Sequence, residues 1–452
     1  MTKQQRLVLV VSIMASVVGA IDGFIVNVAL PTISRELGGG LVTQQWAVDA
    51  YLLTLGSLIL IAGSLSDLFG RRRVLTVGLW WFGLASILCA VAPTPAFLIV
   101  ARALQGIGGA LLVPSSLALI ISAFSGPAQG KAIGTWTAWF SVAAVLGPIL
   151  GGVIIAVTSW RWIFGVNVLP IGLTLWLLAG LKVDEAVKKG TTIDTLGAIL
   201  CAIGLGAPVY ALIEQPNYGW GSVMIWPPLA LGVLALALFV WWEARNPRPM
   251  LPLKLFRVRN FTYGNLATLA IYAGLAVSSF IITITLQQVG GLSALLASLA
   301  LLPVTIVMFL LSSRFGALAG KYGPRIFMTA GPLVSAAGFL LMLRLQPTVH
   351  YWTDLLPGVL LFALGLAATV APLTAAVLGG VGKEHAGVAS AVNNAVARVA
   401  GLIAVALVGV ITGPHLTITG FHDVLIAIAI CMAAGGLISF VGIRRQQPEP
   451  VI

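Results

Sequence analysis

Fourteen runs of about twenty apolar residues, separated only by short polar or Gly/Pro punctuation, leave this chain one environment in which to fold. A bilayer core about 30 Å thick is crossed by roughly 20 residues of helix. In the first half the runs cover 7–30, 43–65, 74–92, 97–122, 131–157, 162–181 and 193–213. They continue over 224–242, 260–287, 292–313, 326–345, 354–380, 387–411 and 423–442. None alternates with the period of a barrel strand, and irregular backbone is unsatisfied in lipid, so each run is expected to be a helix. Composition excludes the alternatives. Only 8% of the 452 residues are charged and 59% are hydrophobic, whereas a soluble domain carries about 25% charged residues. A soluble enzyme, a nucleic-acid-binding domain and a disordered chain are thereby ruled out. The sequence predicts an all-α integral membrane protein with fourteen transmembrane helices.

The net charge of +12 is distributed as a topology signal, not as a phosphate-binding patch. With the N-terminus inside, inward loops and termini hold twenty of the 25 Lys and Arg residues. Only Arg35, Arg161 and Arg344 fall outside, and Arg102 and Arg398 lie within runs. That asymmetry predicts both termini in the cytoplasm of a cell (plasma or bacterial inner) membrane, with lipid rather than nucleic acid as the surrounding partner. Lys3 and Arg6 followed by an apolar stretch with Val18-Gly19-Ala20 would also suit a cleaved signal peptide. The run's continuation to Pro31 and the charge bias favour a retained first helix. Cys89, Cys201 and Cys431 sit far apart in separate runs, so no disulfide framework, metal site or cofactor is expected.

An internal repeat sets the architecture. GSLSDLFGRRR from Gly63 and GALAGKYGPRI from Gly316 superimpose at an offset of 253, matching Gly63 with Gly316, Leu65 with Leu318, Gly70 with Gly323 and Arg72 with Arg325. A fainter echo pairs Gly106 and Pro114 with Gly365 and Pro372, one residue out of register. The expected plan is two six-helix bundles, 1–181 and 259–452, with two inserted helices and their flanking loops in 182–258. Duplicated halves around a midplane site are how many secondary transporters alternate access.

Ionisable side chains inside the bilayer are the strongest functional pointers, because each costs at least ~2.5–3.5 kcal/mol to bury. Asp22, Asp49 and Arg102 are expected at comparable heights, roughly 12, 9 and 8 Å inside runs one, two and four by helical rise. An unpaired charge there would be prohibitive, so Arg102 should contact at least one aspartate. Two acids sharing one arginine would leave a surplus carboxylate whose ionisation is opposed by desolvation and by its acidic neighbour. Either Asp22 or Asp49 is therefore a candidate to exchange a proton, with Arg102 biasing the exchange. Arg398 lies mid-run one turn after Asn393 and Asn394 with no obvious acidic partner in its half; it either lines a cavity or donates to backbone carbonyls. Tyr51, Gln287 and Trp46 are further cavity candidates, although amphipathic residues near helix ends usually anchor at the interface. Glu214 and Glu243 read as interfacial caps, and no histidine relay is present. Gly147, Pro148, Gly151 and Gly152 put small residues and a freed carbonyl on one helix, a recipe for close packing and a kink.

Taken in order, these pieces resemble the major facilitator superfamily, and within it the fourteen-helix drug–proton antiporter family. The resemblance covers nearly the whole chain and rests on six stretches. GSLSDLFGRRR matches the signature loop between helices two and three. ARALQGIGG at 101–109 matches the helix-four motif with its intramembrane arginine. LGPILGG at 146–152 matches the helix-five antiporter motif. IDGFIVNVALP from Ile21, WRWIFGVNVLP from Trp160 and ASAVNNAVARVAG from Ala389 look like family signatures. The resemblance implies that Gly63, Asp67, Gly70, Arg71 and Arg72 form a cytoplasmic gate latched by Asp67, with Gly320 replacing the acid in the second copy. It implies too that the Gly147–Gly152 stretch gates the transport path. Gly23-Phe24 departs from the threonine more usual after the first-helix aspartate, which bears on substrate preference.

Proton-driven export of small amphipathic compounds by a monomer is the leading functional expectation; an importer or facilitator of a small metabolite with the same fold is the alternative. An ATP-driven pump lacks a GxxxxGK[ST] loop, and a membrane enzyme lacks GxSxG, HExxH or clustered histidines.

Overall fold

The structure, a computed structural model, describes residues 1–124, 126–181, 194–247, 249–379, 381 and 386–444, excepting the side chains at 67, 126, 127, 130, 140, 141, 144, 145, 386 and 387. Loop residues Lys182, Lys188, Lys189, Arg248, Lys383 and Arg445 lie outside that description. Among the described residues every regular element is helical. The first part comprises α1 (Lys3–Leu37), α2 (Gly40–Phe69), α3 (Arg71–Ala90), α4 (Pro95–Ala123), α5 (Gly126–Val157), α6 (Trp162–Gly165) and α7 (Val168–Ala179). Then come α8 (Thr195–Tyr218), α9 (Trp226–Arg245), α10 (Arg259–Gln288), α11 (Ala294–Ala300) and α12 (Leu302–Tyr322). The chain ends with α13 (Pro324–Leu341), α14 (Leu356–Gly379), α15 (Ala386–Thr412) and α16 (Ile418–Gly442). Thirteen candidate spans are long and apolar enough to cross a membrane, and Leu146–Val157 of α5 adds a shorter apolar stretch.

Proline chemistry explains where the helices depart from the apolar runs. The run at 162–181 is interrupted after Gly165, where Pro170 cannot donate to the carbonyl four residues earlier. The run at 292–313 turns at Leu301, just before Pro303, and its second piece extends to Tyr322. By contrast α1 continues through Pro31 to Leu37, well past the expected end at residue 30.

The chain divides into two units: Met1–Pro208 with Ala230–Met250 and Ser293–Leu295, and Val209–Leu229 with Leu251–Leu292 and Leu296–Ile452. In unit 1, α4 packs on α2 and α3, and α1 packs on α5. Hydrophobic burial offers little drive between helices in lipid, so small side chains and hydrogen bonds carry the association. Ser16 and Ser116 hydroxyls meet at 2.6 Å between α1 and α4, and those of Ser66 and Ser115 at 2.7 Å between α2 and α4. Still within unit 1, Asp194 caps α8 by accepting from the Gly197 amide at 2.8 Å. It also accepts from Trp242 Nε1 of α9 and from Asn246 Nδ2 just beyond that helix, tying the two helices together. Unit 2 repeats the pairings locally: α14 on α12 and α13, and α10 on α15 and α16.

The 253-residue echo has a structural counterpart at its glycine and arginine. Gly70 (φ 92°, ψ 135°) joins α2 to α3, and Gly323 (φ 92°, ψ 150°) joins α12 to α13 in the same conformation. Two residues on, Arg72 donates to the Ala179 carbonyl at the end of α7 (3.2 Å), and Arg325 to the Phe440 carbonyl at the end of α16 (2.8 Å). Each arginine thus caps the C-terminal end of a helix within its own unit, a favourable place for a cation. The fainter echo fails in space. A Cβ on Gly365 would meet α13 at Ser335 N (2.6 Å), whereas Gly106 faces α2 at Tyr51, and it is Gly108 that faces α3 at Phe82 N (2.8 Å). Because only glycine is at ease at such positive φ, Gly70→Ala and Gly323→Ala are each expected to cost about 1–3 kcal/mol, read as a lowered unfolding temperature of the detergent-purified protein.

Candidate functional site

The charge centre of unit 1 is assembled by four elements. Arg102 of α4 is 1% exposed and Asp22 of α1 is 0% exposed, and Arg102 Nη1 lies 2.6 Å from Asp22 Oδ2. Gln105, one turn after Arg102, donates through Nε2 to Asp22 Oδ1 (2.8 Å) and accepts from Arg102 Nη1 (2.6 Å). Asn167 reaches the same Oδ1 at 2.8 Å from the break between α6 and α7. Ser86 of α3 accepts from Gln105 Nε2 at 2.9 Å. Asp22 therefore has three side-chain donors, the arrangement that allows a carboxylate to remain charged in a low-dielectric interior. Arg102 is equally well held: its Nε donates to the Ala47 carbonyl at 2.8 Å, and its guanidinium lies 4.4 Å from the centre of the Tyr51 ring.

Asp49 is arranged differently from the expected shared pair. It is fully buried, yet neither carboxyl oxygen has a hydrogen-bond partner among the described residues. The reason is helical phase. Ala47 and Tyr51 both meet Arg102, and Asp49, two residues from each, is turned about 200° around α2 from either of them. Leu53, one turn beyond Asp49 on its own face, comes within 3.2 Å of a Cβ built on Gly206 of α8. The single arginine serves Asp22, and the surplus acid is Asp49. The heights are comparable, as expected: Arg102 bonds Asp22 directly and also the Ala47 carbonyl, which is about 3 Å of helical rise from Asp49.

The other sequence candidates are spread over the molecule. Gly63 and Asp67 lie on α2, the Asp67 side chain being outside the described residues. Gly70, Arg71 and Arg72 form the α2–α3 junction. Tyr51 is 3% exposed and packs on Arg102, so it is a wall of the charge centre and not an interfacial anchor. Pro148 lies inside α5, and Gly152 is buried there. Gly147 and Gly151 press α5 onto α1 beside Asp22: an added Cβ would lie 2.9 Å from Phe24 Cβ and 2.8 Å from Ile25 Cγ1 respectively. Gly147→Val is expected to force the two helices apart at a cost of about 1–3 kcal/mol, measurable as thermal destabilisation. In unit 2, Asn393 donates to Asn265 Oδ1 (3.1 Å) and Thr268 Oγ1 (2.8 Å) of α10. Asn394 is exposed, Arg398 is half-buried, and Gln287 is half-buried near the end of α10. Gln105, Asn167 and Ser86 escaped the sequence reading. Gln105 and Asn167 were each visible as the one amide side chain within the ARALQGIGG and WRWIFGVNVLP stretches, but nothing in the one-dimensional pattern placed them on Asp22.

An all-helical, multi-span membrane protein that encloses a hydrogen-bonded ion pair and a solitary acid has the construction of a secondary transporter. Comparison with known proteins agrees: the sequence model of the Major Facilitator Superfamily matches residues 12–405, and the chain belongs to that superfamily. It is 35% identical to the puromycin resistance protein pur8 of Streptomyces alboniger, over 94% of this chain and 88% of the relative. It is 33% identical to the methylenomycin A resistance protein of Bacillus subtilis (94% and 92% covered) and to the cephamycin export protein CmcT of Amycolatopsis lactamdurans (95% and 91%). In fold it is similar to the xylose transporter XylE from E. coli (TM-score 0.67, 15% identity, 100% of both chains). It is likewise similar to the peptide transporter POT (TM-score 0.69, 16% identity, 97% of both chains).

Proposed function

We propose that this chain is a proton-coupled exporter of small amphipathic compounds, not an enzyme, working by alternating access as a monomer in the cell membrane. In this reading α5 counts as a full span, giving fourteen helices with both termini in the cytoplasm. Residues 1–181 and 259–452 are the two bundles, and α8 and α9 are the inserted pair. The Arg72 and Arg325 caps at like places in the two units support the duplicated plan. Relatives named for antibiotic resistance and export support the outward direction.

Asp49 carries the coupling. Its buried carboxyl, without a donor among the described residues, is tolerable only as the neutral acid, since an unpaired charge in that position costs several kcal/mol. Asp49 ionises when its face of α2 becomes wet and takes a proton back before it is covered again. Asp22, with its three donors, keeps its charge and holds Arg102 in place. Gly63, Asp67, Gly70, Arg71 and Arg72 act as the cytoplasmic gate, and the glycines of α5 let that helix slide on α1.

The test uses everted membrane vesicles from cells expressing the chain, energised to acid inside and offered puromycin and a panel of amphipathic dyes. Uptake that collapses with a protonophore is expected. Uptake only in right-side-out vesicles would instead support the importer reading.

A further inference from the structure

Arg398 is a charge that unit 2 leaves unexplained. It lies mid-way along α15, about 18 Å of helical rise from the nearer end, too deep for its head group to snorkel to an interface. It makes no hydrogen bond or ion pair among the described residues, and the Tyr272 hydroxyl of α10 is near enough to feel its charge. No counter-ion is at hand among the described residues: from α10 to α16 their acids are Asp354, in the helical turn Tyr351–Leu355 that leads into α14, and Asp423, in the second turn of α16. The neighbouring helix is polar along one side. Asn265, Thr268, Tyr272, Ser279, Thr283 and Gln287 recur at helical spacing and share a face of α10. The Asn393 side of α15 lies along that face, bonded to Asn265 and Thr268, and a Cβ on Gly401 would come 3.1 Å from Ala276. Arg398 itself is half-buried, and Asn394, one turn earlier, is exposed. A guanidinium in this position cannot face hydrocarbon, so its edge of the α10/α15 pair meets water or a ligand.

We propose that Arg398, flanked by the polar face of α10, is the anion-recognising group of a substrate subsite, and that the compounds carried include amphipathic organic acids. A guanidinium fork matches a carboxylate with two parallel hydrogen bonds, which an ammonium cannot reproduce. Tyr272, on the polar face of α10, offers a further hydroxyl, and the apolar remainder of α15 accommodates the carbon skeleton. The inference rests on the export reading only for the word substrate; binding of the acid is independent of the direction of transport.

The experiment measures binding of 2-naphthylacetate and of its amide, 2-naphthylacetamide, to the full chain purified in detergent, by calorimetry, and uptake of both into everted vesicles. Wild type is expected to bind the acid about ten-fold or more tightly than the amide. Arg398→Gln should erase that preference while still binding the amide, which reports intact folding, and Arg398→Lys should retain part of it. Equal acid-to-amide ratios in wild type and Arg398→Gln, or no acid preference in wild type, overturn the proposal. Uptake only into right-side-out vesicles while the binding preference persists would remove the export reading and leave the subsite standing.

Discussion

Arg102→Ala is expected to lower stability by about 3–5 kcal/mol, more than any other single truncation in unit 1, because it strands a buried carboxylate. Asp22 would keep its bonds from Gln105 and Asn167, but two neutral amides do not balance a full charge away from water. The Ala47 carbonyl and the Tyr51 ring would lose their partner in the same step. Asp22→Asn is expected to destabilise for the mirror reason, leaving the guanidinium uncompensated. The double variant Asp22→Asn/Arg102→Gln should recover much of the loss, since no charge is then buried. Unfolding followed by tryptophan fluorescence across this double-mutant cycle gives the coupling energy. Additive effects of the two single changes would show that the pair does not act as a unit.

Asp49→Asn should behave in the opposite manner. It keeps the shape of the side chain and replaces the titratable carboxyl, which makes no hydrogen bond among the described residues, by an amide, so stability should change by no more than about 0.5–1 kcal/mol. Transport driven by a pH gradient should fall at least ten-fold, while exchange of substrate for substrate without a gradient should persist. The two predictions dissect the centre into a scaffold, whose loss unfolds the protein, and a carrier, whose loss uncouples it. Full gradient-driven transport by Asp49→Asn would return the proton to Asp22 or to another group.

Much of the secondary structure was legible from hydropathy, because a span in lipid must satisfy its backbone internally and is therefore a helix wherever it is apolar. Legibility failed where proline acted locally. Pro31 was passed through in α1, whereas Pro170 and Pro303 accompany breaks. Hydropathy records that a proline is present but not whether neighbouring helices hold the chain straight around it. The Gly70 and Gly323 echo was readable because a positive φ selects for glycine in both copies. The Gly106 and Gly365 echo misled because both glycines serve close packing, against different neighbours.

The sequence alone determined that the chain is a helical membrane protein and that Asp22, Asp49 and Arg102 had to be accounted for inside it, since a charge buried in hydrocarbon carries its cost wherever it sits. Which acid belongs to the arginine was decided only by tertiary structure. A helix advances about 100° per residue, so Ala47 and Tyr51 meet Arg102 while Asp49 between them faces away. Gln105 and Asn167, 62 positions apart in sequence, close on one carboxylate only because α4 and the α6–α7 break pack against α1.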